Sequence, residues 1–357
     1  MTDIQWESLS NQAVTVCGIV YFLALLAHSA QWAGLRKLPA DETPSTGQVA
    51  TFGRFGVLLT VLAVAAHGVG LVARGMAADP NRVPWGNMYE FTLSATFVAA
   101  LGYLLLYRRY SLSWLSPWLV GFVFVILMMD VLWLHEPVAP LTESLNSSPW
   151  LVIHVVSAVL ATGVFSLGGL VSILFLVKAR AEARDAARVA VPARELVGIG
   201  GTGSAAESGS ASAPQRGIIA RIPSSDSLDR LAYRLHAFAF PVWTFAVLIS
   251  GPIWAHQAWS RYWGWDPKEV WAFITWVVCA AYLHARATAG WKGRNASIVA
   301  LVGLGTLMFN FIGINYFFGG SSQHSYAAPE QAVHGPAVAG ESLSAEPAGP
   351  VHSPLPG

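Results

Sequence analysis

Residues Trp254 to Arg286 read WAHQAWSRYWGWDPKEVWAFITWVVCAAYLHAR, and the rest of the chain is organised around them. Six tryptophans (Trp254, Trp259, Trp263, Trp265, Trp271, Trp276), two histidines and the tetrad Asp266-Pro267-Lys268-Glu269 share this one stretch. Tryptophan collects at membrane–water boundaries because its body is apolar and its N–H is not. That accounts for one or two rings, not for six with charges among them. Asp266 is an N-cap type, Pro267 suits the first helical position, where its missing N–H costs nothing, and Glu269 stands where a capping box closes. A helix is therefore predicted from Pro267 through the apolar run to His284 and Arg286, long enough at about 1.5 Å per residue to cross a hydrocarbon core of about 30 Å. The residues before Asp266 are expected to form an aromatic shelf at the boundary, with a short amphipathic helix from Trp254 to Tyr262 lying in the interface. Flat rings beside a polar mouth suit a large planar ligand with an apolar body and charged edges.

Composition sets the environment. Of 357 residues 54% are hydrophobic and 11% charged, against roughly a quarter charged in soluble domains. An all-α integral membrane protein is the fold class this implies. A formal net charge of +1, with no basic stripe, gives no reason to expect a nucleic-acid partner. Cys17 and Cys279 stand singly inside apolar runs, which argues against thiol redox chemistry or a structural zinc site. The start, MTDIQWESLS, is acidic rather than basic ahead of the first apolar run, and the first span is expected to be retained rather than cleaved.

Eight apolar segments reach spanning length: Ala13 to Gly34, Gly53 to Val72, Tyr89 to Tyr107, Trp114 to Leu134, Trp150 to Val177, Leu235 to Ile253, Pro267 to Ala285 and Ala296 to Phe318. An even number puts both termini on one side. Of the 21 basic residues only Arg74, Arg82, Arg261 and Lys268 fall in loops of that side. Lys and Arg are held back on the cytoplasmic face, so both termini and the Trp-rich segment are expected to be extracytoplasmic. The domain organisation read this way is spans one to five over 1–179, a Gly/Ser/Ala-rich flexible cytoplasmic linker over 180–227, and spans six to eight over 228–326 with the Trp-rich segment at 254–271. A disordered extracytoplasmic tail is expected over 327–357.

Histidines near spans are the first candidates for chemistry. His154, four residues past Trp150, and His324, in QHSYA beyond span eight, both fall on the side of the shelf. Neutral imidazoles flanking a flat pocket are what ligates haem iron axially. His284 lies near the opposite end of span seven, either in an interhelical hydrogen bond or in a second haem site that loads the first. His28 and His67 read as structural, His256 as a shelf residue that can line the pocket, His135 as a loop residue and His236 as a helix-end residue. Lys268 and Arg261 suit anionic groups such as propionates, or phospholipid headgroups.

The form W-x-W-D-P-K-E-x-W-A followed by Y-L-H-x-R resembles the tryptophan-rich "WWD" signature of the CcsA/ResC family, the haem-handling half of the two-component System II cytochrome c synthase, often labelled CcsB in actinobacteria. The resemblance extends to PWGNMYEF at 84–91, PWLVIHV around His154 and NYFFGGSSQHSYA near the C-terminus, covering most of the membrane domain. It departs at Ser260, where the family more often has Gly, and in the length of the cytoplasmic linker. What it implies is a multi-pass protein of the bacterial plasma membrane. His154 and His324 would be axial ligands of haem b at the shelf, Trp254, Trp259, Trp263, Trp265, Asp266 and Trp271 would bind it, and His284 would hold haem at an inner-leaflet site. It further implies a ResB/CcsB-type membrane partner subunit, an apocytochrome c with a C-x-x-C-H motif as substrate, and a thiol-reducing thioredoxin-like protein in the pathway. The expected activity is haem delivery and thioether attachment, that is, a cytochrome c synthase (haem lyase) acting with its partner. The alternatives are a haem exporter or chaperone without ligation activity, and a b-type cytochrome subunit, which would place paired histidines on facing helices within the membrane.

Overall fold

The computed structural model describes residues 1–39, 42, 44–139, 148–198 and 219–318, with side chains left out at 188–198 and 316. His324 and the 327–357 tail therefore lie outside the described residues, as do 199–218 of the linker. Eight helices are long and apolar enough to cross a membrane, as the apolar segments require, and among the described residues there is no strand.

The first pair is α1 (Asp3–Leu35) and α2 (Gly47–Met76). Thr2 starts α1 by accepting from the Gln5 N–H, while the Gln5 side chain accepts from the Thr2 N–H at 2.9 Å, the reciprocal satisfaction of two orphan donors that a capping box provides. At 33 residues α1 is about 50 Å long and outruns the hydrocarbon core, so the predicted start at Ala13 misses its polar first turns. The two helices approach closely at Gly56, where a Cβ would come within 2.6 Å of the His28 ring; small residues are what let membrane helices come together. His28 Nε2 lies 3.3 Å from Thr60 Oγ1, and the Thr60 hydroxyl donates to the Gly56 carbonyl at 2.7 Å, so the ring nitrogen is the donor. His67 is sealed: Nε2 donates to the Leu93 carbonyl at 2.9 Å and Nδ1 faces Tyr21 Oη at 3.4 Å. Both rings pack between helices, each with a hydrogen bond to a neighbouring helix.

Next come α3 (Met88–Tyr107) and α4 (Ser116–Met129), the latter running into a π turn at Asp130–Leu134. Asn87 caps α3 through the Glu90 N–H at 2.8 Å, and Glu90 is the hub of the 84–91 motif. Its carboxylate accepts from Arg74 Nε at 3.0 Å, Arg82 Nη1 at 2.6 Å and the Gly86 N–H at 2.6 Å. The Arg74 and Glu90 side chains are both fully buried, and Arg74 also donates to the Glu136 carbonyl. Asp130 adds a buried carboxylate beside Arg74. The predicted outer loop is thus bolted to α2 by an ion-pair cluster.

The third group holds the cavity described below. Helix α5 (Pro149–Gly198) carries on past the membrane into the first part of the expected linker. Helix α6 (Ser225–Thr244) continues through a π turn, Phe245–Ser250, into α7 (Gly251–Trp259). This corrects the expected boundaries: span six starts earlier than Leu235, and the shelf residues Trp254–Trp259 continue it rather than form a separate interfacial helix. The helix stops at Ser260, whose φ of 56° is left-handed, the conformation that Gly adopts at a helix C-terminus. Helix α8 (Pro267–Ala287) has the predicted start: Asp266 accepts from the Lys268 N–H at 2.9 Å and the capping box with Glu269 is closed. Helix α9 (Arg294–Met308) ends in a third π turn, Phe309–Gly313, and the short α10 (Ile314–Phe317). His236 sits inside α6, buried, with Nδ1 donating to the Ala232 carbonyl at 2.8 Å and its ring 5.0 Å from Tyr282. It is an interior packing residue, not the helix-end residue expected, because α6 begins ten residues earlier than its apolar run.

Eight spans return the chain to the end of the bundle where it started. That end, called the tryptophan end below, also carries the turns before α3, α5 and α8.

Candidate functional site

A cavity of about 180 Å³ opens at the tryptophan end between α5, the π turn and α7, the start of α8, and the π turn after α9. Its wall is mostly apolar: Phe91, Leu151, Val155, Val247, Leu307 and Phe311 among others. His154, Thr162, Lys268, Glu269 and Asn310 supply the polar groups, and Trp85, Trp243, Trp254 and Trp263 the large rings. Ligand sites are typically this mixture of apolar lining and a few placed polar groups.

The arrangement of His154 follows from the π turn of span six. In Phe245–Ser250 the Gly251 N–H reaches back to the Ala246 carbonyl, an i→i+5 bond that shifts this carbonyl off the α-helical ladder. His154 Nδ1 lies 2.9 Å from that same oxygen. A carbonyl only accepts, so Nδ1 carries the proton and Nε2 is the nitrogen with the lone pair. Fixing the tautomer by a backbone carbonyl is how metal-binding imidazoles are held. The ring stacks on Trp254, centroids 5.9 Å apart and planes 13° from parallel. Gly251 keeps the space: a Cβ there would stand 3.2 Å from His154 Cε1 and Nδ1.

The strap from Ser260 to Asp266 closes one side of the cavity. Glu269 Oε2 accepts from the Gly264 N–H at 2.8 Å and the Asp266 N–H at 3.2 Å, so the residue that caps α8 also fixes the strap. Tyr262 and Trp263 face the cavity from it. Trp265 does not: it has φ of 56° and is 73% exposed, its ring edge-on to Trp263 at 6.0 Å. A bulky residue held left-handed is an outlier of the kind that clusters at functional sites.

Of the residues singled out in the sequence, His154, Trp254 and Trp263 line the cavity. Trp259 packs behind Trp254 at 4.8 Å, and Trp265 adjoins Trp263. Trp271 packs on Phe309 at 4.2 Å and Asp266 is a buried cap; both support the wall without forming it. His256 stacks on Tyr262 at 4.3 Å rather than lining the pocket. His284 is exposed near the far end of α8, about 26 Å along the helix from Pro267 at 1.5 Å per residue. Sequence reasoning passed over Trp243, Thr162 and Asn310 as wall residues, while Trp85 belongs to the 84–91 motif expected on this side. Asn310, a lone amide in the apolar run GLGTLMFNFIG, carried a usable signal; Trp243 and Thr162 carried none.

Residues 85–320 match the family described as cytochrome C assembly protein. The chain belongs to that family. It is 31% identical to the cytochrome c biogenesis protein CcsA of Synechococcus sp. (strain JA-3-3Ab), over 90% of this chain and 95% of that one. It is 34% identical to the CcsA of Parasynechococcus marenigrum (strain WH8102), over 70% and 79%. Among solved structures the fold resembles the cytochrome c haem lyase CcmF, with a TM-score of 0.54 at 16% identity, covering 88% of this chain and 49% of that one; the chain spans about half the length of that lyase. As a CcsA-family member this multi-pass membrane protein works in cytochrome c maturation.

Proposed function

We propose that the protein binds haem b as its substrate at the tryptophan end, with His154 as an axial ligand, and presents it for thioether attachment to the C-x-x-C-H motif of apocytochrome c. The observation that carries this reading is the His154 tautomer, set by the Ala246 carbonyl so that Nε2 holds the lone pair at the edge of an apolar, Trp-walled cavity. The donor chemistry fits: an imidazole for iron, apolar side chains for the porphyrin body, and Lys268 with the Trp263 N–H for an anionic edge. At about 180 Å³ the cavity is smaller than the ~300–1,000 Å³ of pockets that enclose a drug-sized ligand. The porphyrin would enter edge-first, with the remainder over the exposed Trp265 and Tyr262. His324 is proposed as the second ligand. Trp254, Trp259, Trp263, Trp265, Trp271 and Asp266 are proposed to form and buttress the haem surface. The site would face the extracytoplasmic side of the bacterial plasma membrane, with haem arriving by way of an inner-leaflet position at His284.

In thioether formation the cysteine sulfur bonds to one vinyl carbon and its hydrogen ends on the other, with nothing released. The protein's contribution is proximity and orientation, and no side chain here is assigned as a nucleophile. A ResB/CcsB-type subunit would bring the apocytochrome, and a thioredoxin-like protein would keep its thiols reduced. The test is the absorption spectrum of the purified protein beside His154→Ala, together with cytochrome c maturation on co-expression with the partner. Low-spin haem in the parent, converted in His154→Ala and restored by added imidazole, with maturation lost in parallel, is the expected result. Maturation by a parent that carries no haem, or an unchanged spectrum in His154→Ala, would overturn the site.

A further inference from the structure

Helix α1 presents two kinds of surface outward. From Val16 inward its exposed residues are apolar, Val16, Ile19, Phe22, Leu23 and Leu26, the pattern of a span in contact with lipid tails. Over the two turns before that they are Ser8, Gln12 and Thr15, which share a shallow groove along the helix with Glu7 and Asn11. The register against α2 fixes the depth of this stripe. The Ser10 hydroxyl donates to the Gly70 carbonyl at 2.8 Å, and Gly70 stands four residues, about 6 Å, deeper in the bundle than the ion-paired Arg74. Gln12 and Thr15 are deeper still. At this level the neighbouring helices expose hydrocarbon: Val69 and Val72 on α2, and on α4 Leu132, one turn outward from the Met128 that packs on Gly18.

Amides and hydroxyls that face a membrane interior lack the partners water would give them, and such groups are what hydrogen-bonds one membrane helix to another. Thr15 donates to the Asn11 carbonyl of its own helix at 2.8 Å, and one amide N–H of Gln12 reaches Ser8 Oγ at 3.3 Å. The Gln12 side-chain carbonyl, its second N–H and the Ser8 hydroxyl hydrogen have no partner among the described residues. Whatever covers this face must supply donors and acceptors at helical spacing, because residues 8, 12 and 15 form one stripe. A second copy of the chain fits poorly. A two-fold axis along the membrane normal sets like against like, and would bring the exposed Asp3 and the groove residue Glu7 beside their own counterparts.

We propose that residues 8–15 of α1 dock a transmembrane helix of the partner subunit. That helix carries Ser, Thr, Asn or Gln at i and i+4 against Ser8 and Gln12, and a Lys or Arg nearer the tryptophan end against Asp3 and Glu7. The proposal rests on the reading above, in which such a subunit brings the apocytochrome.

The full-length protein is co-expressed with its ResB/CcsB-type subunit, with a photo-crosslinking residue in place of Gln12 or, as control, of Val156, which is exposed on α5. The expected result is an adduct with the partner subunit from position 12 that exceeds any from position 156. Ser8→Ala with Gln12→Leu, both on the exposed face, should lower the partner recovered with the purified chain by about threefold to tenfold, the range of one or two interhelical hydrogen bonds, while bound haem keeps its spectrum. An adduct from position 12 that is a second copy of this chain or holds lipid alone, an equal adduct from Val156, or undiminished recovery in the double variant overturns the docking surface and leaves the haem reading intact. A parent complex that carries no haem overturns the haem reading and leaves the surface standing. A parent that recovers no partner subunit overturns the surface together with the two-subunit reading.

Discussion

His67 and His154 show two ways of placing an imidazole in the same bundle. His67, between α1, α2 and α3, has both ring nitrogens occupied by protein, the Leu93 carbonyl on one and Tyr21 on the other, and no exposed surface. His154 has one nitrogen fixed by a displaced carbonyl, a tryptophan against its face, and a cavity in front. Both rings are rigid, but the rigidity serves packing in one case and presentation in the other. A histidine in a membrane span is thus read by whether its ring borders a cavity, and the same contrast separates Glu90, enclosed by cations, from Glu269, which holds the strap over the cavity.

The comparison breaks most severely at Glu90. Glu90→Gln removes the carboxylate that Arg74 and Arg82 share and leaves Arg74 with Asp130 and, at 3.7 Å, Glu7, a loss of up to about 3–5 kcal/mol; thermal unfolding in detergent should show it, with haem lost only because folded protein is lost. His67→Phe should cost about 1–3 kcal/mol by taking the ring partner from the buried Tyr21 hydroxyl, the Leu93 carbonyl keeping the Thr96 hydroxyl, while the spectrum of bound haem stays unchanged; an altered spectrum would erase the distinction between the two histidines. Gly251→Ala acts on the other side. Its methyl would press on the His154 ring and stand 2.9 Å from the backbone oxygen of Ala246, so the turn must shift: stability should fall by about 1–3 kcal/mol, the cost of overpacking, and haem affinity of the protein that remains folded by about tenfold, the lower range for disturbing an outer-shell partner. Smallest is Ser260→Gly, which relieves a left-handed residue, worth about 1–2 kcal/mol, against the extra backbone entropy of Gly, about 0.5–1 kcal/mol, so that stability should rise by at most about 1 kcal/mol. An unchanged spectrum there would confine the role of Ser260 to the helix end.

Much of this was legible beforehand, for identifiable reasons. The eight spans follow from apolar run length, and the start of α8 from Asp266, Pro267 and Glu269, whose side chains act on their own local backbone. What stayed hidden depends on non-local geometry. No local pattern announces a π turn in FAVLIS or FNFIG, and without those turns neither the acceptor for His154 nor the direction of Asn310 can be placed. The separate interfacial helix expected over Trp254 to Tyr262 failed for the same reason: the apolar run was ended at Ile253, although the backbone stays helical through Pro252, which as a first-turn residue of α7 leaves no donor wanting. The ion-pair hub at Glu90 was missed because its partners come from α2 and the preceding loop.

The π turn at Phe245–Ser250 also acts as a phase setting. One extra residue in a helical turn rotates everything beyond it by about 100°, so α7 faces the cavity only because the ladder slips once below it. Removing a single residue from that turn would keep the span, its length and its hydropathy. It would swing Trp254 off the face of His154, return the Ala246 carbonyl to its own helix, and leave a protein that inserts normally with its aromatic wall turned to the wrong side.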